Sequence, residues 1–246
     1  MSYGHVLGAL VCSFVFSSSM AQSVYGVTFA REPGVIYVPL RETAKALGIL
    51  VDWDSSERKV VVDDKKYDED DFSQLYDGTK LVPLREFAKF GATVELDRAT
   101  DVATVKSAGS TVEVVLAPKH VEVSISDQTL RAWQGDLLVM ETNISSGRRG
   151  HSTPRGKFKA GPVKDRMHYS RLYNNSPMPY SVQIHGHVFI HGYHSVPPRP
   201  ASHGCIRMPL KRKNAAKFFF DWVDVGTPVW ILSEFSDGSE RLSAKK

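Results

Sequence analysis

Cysteine is scarce in this chain, and its two copies, Cys12 and Cys205, lie far apart. Cys12 falls within an apolar run from Val6 to Phe16, which is followed by small residues as far as Ala21. Such a run is typical of a cleaved export signal and is too short to span a bilayer. We therefore predict a signal peptide at residues 1–21, an exported protein in the periplasm or cell wall, and no stable membrane insertion after cleavage. The mature chain would keep one cysteine, which excludes an intramolecular disulfide framework.

Acidic residues are absent from Arg166 to Phe220, although the whole chain has 27 of them. The same stretch contains eight basic residues: Arg166, Arg171, Arg199, Arg207, Lys211, Arg212, Lys213 and Lys217. With a formal net charge of +4, this favours an anionic partner such as a carboxylate-bearing polymer. No basic helix with interleaved aromatic residues is apparent, so we expect no nucleic-acid partner. An acid-free surrounding also favours a thiolate, which predicts a lowered thiol pKa in this stretch.

The first half of the chain contains an internal repeat. Residues 38–62 read VPLRETAKALGILVDWDSSERKVVV, and residues 82–105 read VPLREFAKFGATVELDRATDVATV, with one residue deleted. Each copy predicts a strand, a short helix and two further strands around a turn, at Asp54–Ser56 in the first copy and at Asp97–Ala99 in the second. We expect a small α+β domain at residues 25–106. The repeat has no cysteine or histidine, so we interpret it as a packing module rather than a catalytic one.

The second half of the chain is predicted to be mostly β. Residues 107–111 are small and polar and predict a linker, and 234–246 predict a polar tail. Between them, alternating patterns predict strands at 121–126, 130–133, 137–143, 157–160 and 229–232. A late helix is expected to begin at Pro209, with an apolar face formed by Ala215, Ala216, Phe219, Phe220 and Val223. Residues 112–233 are thus expected to form a β-sandwich or barrel-like domain.

The remaining cysteine lies in a segment that is suited to acyl transfer. Ser202, His203 and Gly204 precede Cys205, and His191 lies fourteen residues earlier. A thiol near an imidazole can act as an activated nucleophile, with the histidine as base. The backbone N–H groups of His203, Gly204 and Cys205 lie on a tight turn and could form an oxyanion hole. These residue types together predict a cysteine acyl-transfer enzyme.

Two neighbours of this segment have predicted supporting roles. Without a nearby acid in the sequence, the Gly192 carbonyl is the local candidate for orienting the His191 ring. Arg207, two residues after Cys205, could hold a substrate carboxylate through two parallel hydrogen bonds.

Metal binding is an alternative interpretation of the same segment. The histidines at 185, 187, 191, 194 and 203 are crowded together, and with Cys205 they could form a zinc site. On one uninterrupted strand His185, His187 and His191 would share a face. A hairpin turn at Gly186 would scatter them instead, and no acid follows in sequence to orient metal-bound imidazoles. We therefore expect no metal and no other cofactor.

The segment HVFIHGYHSVPPRPASHGCIRMP, residues 187–209, resembles the signature of the YkuD family of L,D-transpeptidases. Two further stretches, 153–158 and 172–180, resemble that family's TPxGxF-like turn and its SLYNxxPMPY-like run. The resemblance implies Cys205 as nucleophile, His191 as base, Gly192 as its orienter, and Ser202 and Arg207 at the acyl-donor site. His185 is a second match to the family's His-Gly element and is the alternative base. The repeat resembles the N-terminal stalk domain of copper amine oxidases.

This resemblance implies an exported L,D-transpeptidase that takes part in cell-wall biogenesis and cell shape and is a target of carbapenems. Its partners would be peptidoglycan stem peptides, with a neighbouring stem or a wall-anchored protein as amine acceptor. An L,D-carboxypeptidase or cross-link hydrolase would use the same Cys/His site with water as acceptor. A third alternative is a catalytically silent wall-binding module, in which the repeat domain carries the function.

Overall fold

The computed structural model describes residues 22–97 and 102–235. The predicted signal peptide, the middle of the second-copy turn and nearly all of the predicted tail lie outside these residues. The fold is mostly β with one late α-helix, as the sequence predicts. No helix in the described part of the chain is long and apolar enough to cross a membrane.

The N-terminal half contains eleven described strands, two 3-10 helices and one α-helix. The elements are β1 Gln22–Tyr25, β2 Val27–Thr28, β3 Ile36–Pro39, α1 Leu40–Ala46, β4 Val51–Asp54, β5 Lys59–Val62, β6 Lys65–Asp68, a 3-10 helix Glu69–Asp71, β7 Ser73–Gln74, β8 Lys80–Pro83, a 3-10 helix Leu84–Phe90, β9 Thr93–Asp97, β10 Val102–Ser107 and β11 Ser110–Val115. They form three sheets, with strand orders β1-β11-β10-β9, β2-β3-β8-β7 and β4-β5-β6.

The predicted repeat unit of strand, helix and two strands is present in both copies. In the first copy the unit is β3, α1, β4 and β5, and in the second it is β8, the following 3-10 helix, β9 and β10. The second helix is 3-10 rather than α and ends at Gly91, whose φ of +80° closes it in the left-handed conformation. Leu40 and Leu84 begin the two helices and are both buried, so each copy contributes the same side chain to the core.

Residues 107–111, where the sequence predicts a linker, contain a hairpin turn and the strand ends on either side of it. Ser107 pairs with Ser110 at the end of the antiparallel β10–β11 ladder. Ala108 and Gly109, between them, have φ values of +46° and +85°, the combination that two-residue hairpin turns require. β11 therefore adds to the N-terminal sheet, where it also pairs in parallel with β1. The small residues that predict a linker are here the residues that a tight turn needs.

The C-terminal half, as far as residue 235, contains nine strands and one α-helix. These are β12 Lys119–Ser124, β13 Thr129–Gln134, β14 Leu137–Asn143, β15 Gly156–Lys159, β16 Lys164–Ser170, β17 Ser176–His185, β18 Val188–Tyr193, β19 Ile206–Pro209, α2 Ala215–Trp222 and β20 Pro228–Leu232. They form two sheets, with orders β14-β13-β12-β20-β15 and β16-β17-β18-β19. Helix α2 packs against β17, β18 and β19.

Helix α2 begins six residues later than the sequence predicts. Pro209 is the last residue of β19, and the helix starts at Ala215. The Asn214 side chain caps it by accepting a hydrogen bond from the Lys217 N–H at 3.0 Å. The predicted apolar face is present: Ala215, Ala216 and Phe219 are fully or almost fully buried. Proline is compatible with a helix start, but the side-chain cap determines where this helix begins.

The two halves share one apolar core. Val27, Phe29 and Leu81 of the N-terminal half belong to the same buried cluster as Val121 and Trp222 of the C-terminal half. Backbone hydrogen bonds also cross the boundary: the Arg31 N–H donates to the Asp221 carbonyl at 3.0 Å, and the Tyr76 N–H donates to the Val139 carbonyl at 3.2 Å. A shared core of this kind holds the repeat region firmly against the C-terminal region.

Candidate active site

The parallel pairing of β18 and β19 places the candidate residues side by side. Ile190 pairs with Ile206, and His191 pairs with Arg207. Side chains alternate across a strand, so His191 and Arg207 share one face of the sheet while Ile190 and Ile206 share the other. Both isoleucines are fully buried in the core. Cys205 directly precedes β19 and, by the same alternation, lies towards the face of His191 and Arg207.

The Cys205 thiol lies at the turn that joins β17 to β18. The residue is partly exposed, and its Sγ is 3.6 Å from the His187 carbonyl oxygen. Burial raises the pKa of the Cys205 thiol, and this effect exceeds the lowering by the Phe189 backbone and the Arg207 charge. The expectation of a lowered thiol pKa is therefore wrong. The acid-free sequence supplies positive charge, but removal from water disfavours the thiolate more strongly.

The His191 imidazole is buried, with 4% of its surface exposed, and is oriented by the adjacent residue. Its Nδ1 lies 2.9 Å from the Gly192 carbonyl oxygen. A carbonyl only accepts hydrogen bonds, so Nδ1 carries the proton and Nε2 is left unprotonated. Burial lowers the pKa of His191 to about 4; the Gly192 contact acts against this, and the Arg207 charge adds to it. The imidazole is therefore a neutral base at neutral pH.

Gly192 has a steric reason to be glycine. A Cβ added there would lie 2.3 Å from the Leu210 side chain and 3.1 Å from Ala216. The absence of a side chain lets β18 pack closely on the segment that leads to α2. Gly192 therefore serves both the packing of the strand and, through its carbonyl, the orientation of His191.

A hydrogen-bonded network fixes the turn before Cys205. Ser202 Oγ donates to the Cys205 carbonyl at 2.5 Å and accepts from the Gly204 N–H at 3.1 Å. Thr153 Oγ1 donates to the Gly204 carbonyl at 2.8 Å and accepts from the Gly147 N–H at 2.8 Å. Gly204 has a φ of +117°, which L side chains rarely adopt. Because the Gly204 N–H already has an acceptor, the N–H groups of His203 and Cys205 are the better candidates for an oxyanion hole.

A second cluster of side chains surrounds His203. Arg148 Nη2 lies 2.8 Å from His203 Nε2. The rings of Tyr173 and His151 lie 4.6 Å and 5.0 Å from the His203 ring. An arginine only donates, so His203 Nε2 accepts and its proton is on Nδ1. Sequence reasoning assigned roles to neither Arg148 nor Thr153, although Thr153 begins the TPxGxF-like turn and Arg148 lies in a stretch with Gly147, Arg149 and Gly150.

Arg207 is held by contacts to its side chain and to its backbone. Its guanidinium lies 4.0 Å from the centre of the Tyr193 ring, a cation–π geometry. Its backbone N–H and carbonyl both bond to Ser145, each at 3.0 Å. Tyr193 also meets His191 edge-on, at 6.1 Å between ring centres. One aromatic ring thus contacts both the candidate base and the candidate carboxylate-binding residue.

The other histidines of the crowded segment are scattered. Strand β17 ends at His185, and Gly186, with a φ of +52°, turns the chain into β18. The hairpin therefore separates His185 and His187 from His191, and the His185 ring packs instead at 5.3 Å from Phe158. Within residues 22–97 and 102–235, no three His, Cys, Asp or Glu side chains form a group that could hold a metal ion.

Comparisons with known proteins agree with the motifs. Residues 118–231 match the YkuD family, described as the L,D-transpeptidase catalytic domain, and residues 26–69 match the copper amine oxidase N-terminal domain. No curated protein sequence matches the chain.

Several solved structures are similar to the chain. An L,D-transpeptidase from Xylanimonas cellulosilytica is 30% identical over 48% of this chain and 62% of its own, with a TM-score of 0.43. An L,D-transpeptidase from Stackebrandtia nassauensis is 24% identical over 49% of this chain and 58% of its own, also with a TM-score of 0.43. An L,D-transpeptidase from Mycobacterium tuberculosis is 16% identical over 86% of this chain and 94% of its own, with the same TM-score of 0.43. This chain thus spans about three fifths of the length of the Xylanimonas and Stackebrandtia proteins. By its sequence matches, the second half of the chain is similar to the YkuD L,D-transpeptidase catalytic domain, and a part of the first half is similar to the copper amine oxidase N-terminal domain.

Proposed function

We propose that this chain is an exported peptidoglycan L,D-transpeptidase that acts through a thioester on Cys205. The observation that supports this most directly is the parallel β18–β19 pairing, which places His191 and Arg207 opposite each other next to Cys205. This pairing lies within the segment that matches the family. The acyl donor is a stem tetrapeptide, whose L-to-D peptide bond is broken with release of the terminal D-alanine. The acceptor is an amine of a neighbouring stem or of a wall-anchored protein.

The raised thiol pKa and the lowered His191 pKa favour a general-base route. Both groups are neutral at rest, so the thiol must lose its proton as sulfur attacks. His191 Nε2 takes that proton, the Sγ–C bond forms, and the carbonyl becomes an oxyanion. As the C–N bond then breaks, Nε2 returns the proton to the departing D-alanine amine. The incoming amine reverses these steps: His191 removes its proton, a new amide forms and the thiol is restored.

The N–H groups of His203 and Cys205 are the proposed oxyanion donors. Ser202 and Thr153 support this role. The Ser202 hydroxyl accepts from the Gly204 N–H and the Thr153 hydroxyl donates to the Gly204 carbonyl, so both backbone groups of Gly204 are fixed. Donors held rigidly before the reaction stabilise the developing charge without reorganisation. In this proposal Ser202 shapes the acyl-donor site through the backbone, and Arg207 binds the carboxylate of the donor stem.

The experiment that tests this function is incubation with a purified disaccharide tetrapeptide, with products identified by mass spectrometry. Transpeptidation gives a dimer that has lost one D-alanine, whereas a hydrolase gives the tripeptide. The matched control is Cys205→Ala, which should lower product formation at least about 10³-fold while leaving the fold intact. Equal product formation by both proteins would exclude Cys205 as the nucleophile, and no product from either protein would leave the silent-module alternative.

A second test uses a carbapenem, whose strained lactam presents a carbonyl to the same thiol and oxyanion donors. We expect one drug molecule per chain, bound to Cys205, in intact-mass measurements. The Cys205→Ala protein should stay unmodified. An unmodified wild type after prolonged incubation with excess drug would contradict a competent acyl-enzyme site.

A further inference from the structure

The two copies of the repeat each form a groove from equivalent positions. The first groove is lined by Leu40, Arg41, Val51 and Trp53, and the second by Leu84, Arg85, Val94 and Leu96. These residues align one to one when residues 38–62 are placed against 82–105 with the one-residue deletion. The groove is therefore a feature of the repeat unit itself, between the start of its helix and the strand that follows.

The two grooves differ in size. The first has a volume of about 650 Å³ and the second about 160 Å³. Ligand sites in proteins usually measure roughly 300–1,000 Å³, so the first groove alone of this pair has the size of a ligand site. Of the four paired positions named above, only 53 and 96 carry different residues. Trp53, with 39% of its surface exposed, stands where the other copy has Leu96. The first copy therefore presents an accessible aromatic surface that the second lacks.

The polar residues at the two helix starts also differ in how they are paired. In the second copy, Glu86 forms ion pairs with Arg85, at 3.6 Å, and with Lys89. The equivalent residues of the first copy are Arg41, Glu42 and Lys45, which are exposed and line the first groove. Among the ion pairs of the described residues, these three form none. Their donors and acceptors are therefore available to a ligand.

The chemistry of the first groove fits a sugar ring. Arg41 and Lys45 are balanced by Glu42 and Asp52, so the rim has no excess of either charge that would select an anionic or cationic ligand. It offers donors and acceptors together, as the hydroxyl groups of a sugar require. The indole of Trp53 supplies a flat apolar surface for the C–H face of a pyranose. We propose that the first groove binds a glycan strand of β-linked pyranose sugars, with one ring stacked on Trp53.

The first groove extends to the boundary with the C-terminal half. Gly78 forms part of its lining, and a Cβ added there would lie 4.0 Å from Lys213 Nζ. The Lys213 ammonium also donates to the Tyr76 carbonyl at 2.9 Å, which fixes it beside the groove. Lys213 follows β19, the strand whose pairing with β18 places Arg207 opposite His191. The Gly78 side of the groove therefore approaches the segment that connects β19 to α2.

The test is calorimetric titration of the full chain with two probes, a hexasaccharide of β-1,4-linked N-acetylglucosamine and cellohexaose. Binding of the first alone would assign amino sugars, and binding of both would assign the pyranose ring in general. We expect Trp53→Ala to weaken binding at least tenfold. Leu96→Ala, at the equivalent position of the second copy, should change it less than twofold.

Trp53→Phe keeps an aromatic ring and should retain most of the affinity, which protects the test against a Trp53→Ala protein that fails to fold. The absence of binding to either probe at millimolar concentration would overturn the proposal. Equal losses in Trp53→Ala and Leu96→Ala would also overturn it. Because the readout is binding to sugars without stem peptides, it does not depend on whether Cys205 is catalytic.

Discussion

At the residue scale, the surroundings of Cys205 and His191 determine the protonation state of both side chains. Removal from water raises the pKa of the thiol and lowers that of the imidazole, so both groups are held in their neutral forms. A nucleophile and base of this kind transfer the proton during attack rather than resting as an ion pair. The neutral state of both groups affects the reactivity of the thiol and the pH dependence of the free energy of unfolding.

We expect alkylation of Cys205 by iodoacetamide to be slow near pH 6 and to reach its maximum rate only above the ordinary thiol pKa of 9.0. The thiolate is the reactive form, and burial disfavours it. The measurement is the alkylation rate against pH by intact mass, with the His191→Ala protein as control. Rapid alkylation at pH 6 that disappears in His191→Ala would instead indicate a resting thiolate–imidazolium pair.

The lowered pKa of His191 also predicts a pH-dependent stability. Between pH 6.5 and about 4 the unfolded chain protonates this histidine while the folded chain does not. The unfolded state then binds more protons, so the free energy of unfolding falls as the pH falls through this window. The difference of about 2.5 pKa units corresponds to roughly 3 kcal/mol.

Urea unfolding of the wild type and of His191→Gln at pH 7 and pH 4 measures this contribution. The wild type should lose more stability than His191→Gln on acidification, because the glutamine does not titrate. Equal losses in the two proteins would show that the imidazole is not buried in its neutral form.

At the scale of elements, the turn before Cys205 depends on a loop that is distant in sequence. Thr153 connects the Gly147 N–H to the Gly204 carbonyl through one hydroxyl group. The residue is buried, so each lost bond would leave a polar backbone group without a partner. The threonine therefore positions the turn without contacting the reacting atoms.

We expect Thr153→Val to lower kcat roughly 10- to 100-fold with a smaller change in KM, because misplaced oxyanion donors affect the transition state most. The free energy of unfolding should fall by about 1–3 kcal/mol. Thr153→Ser keeps the hydroxyl group and should recover most of kcat, while a purely structural role would change stability without this rescue. Steady-state kinetics and urea unfolding of both variants give the two quantities.

At the scale of the whole molecule, the repeat region and the C-terminal region should unfold together. Tyr37 and Leu75 of the repeat region are buried in the same cluster as Met140 and Phe219. Exposing one half of such a core to water destabilises the other half. We therefore expect a single cooperative transition for the full chain in differential scanning calorimetry, with equal calorimetric and van't Hoff enthalpies.

A chain that begins at residue 116 should melt at a lower temperature than the full chain, since it lacks the N-terminal part of that cluster. Two separate transitions in the full chain, with the second matching the shortened protein, would show that the halves are energetically independent.

The sequence by itself determined the repeat, the strands of its two copies, the C-terminal sheet of β12, β13, β14, β15 and β20, and the candidate nucleophile, but it assigned no ranges to the strands β16 to β19. These features depend on local patterns: alternation of apolar residues predicts strands, and a rare residue type in a dense motif predicts chemistry. The sequence also predicted the apolar face of α2, because a helical face repeats at a fixed spacing. It did not predict that helix's start, since Pro209 and Asn214 are both compatible with one and only the Asn214 cap is formed.

The tertiary structure alone decided the protonation of the site and the partners of its loops. Sequence charge predicted a lowered pKa for Cys205, but its desolvation depends on neighbours such as His187 and Phe189 that are brought to the thiol only by folding. The contacts of Arg148 with His203 and of Thr153 with Gly204 join residues about fifty positions apart, which no local pattern reveals. Residues 107–111 became part of a hairpin because β11 pairs with β10, and the parallel pairing of β11 with β1, which is distant in sequence, holds this strand in the N-terminal sheet.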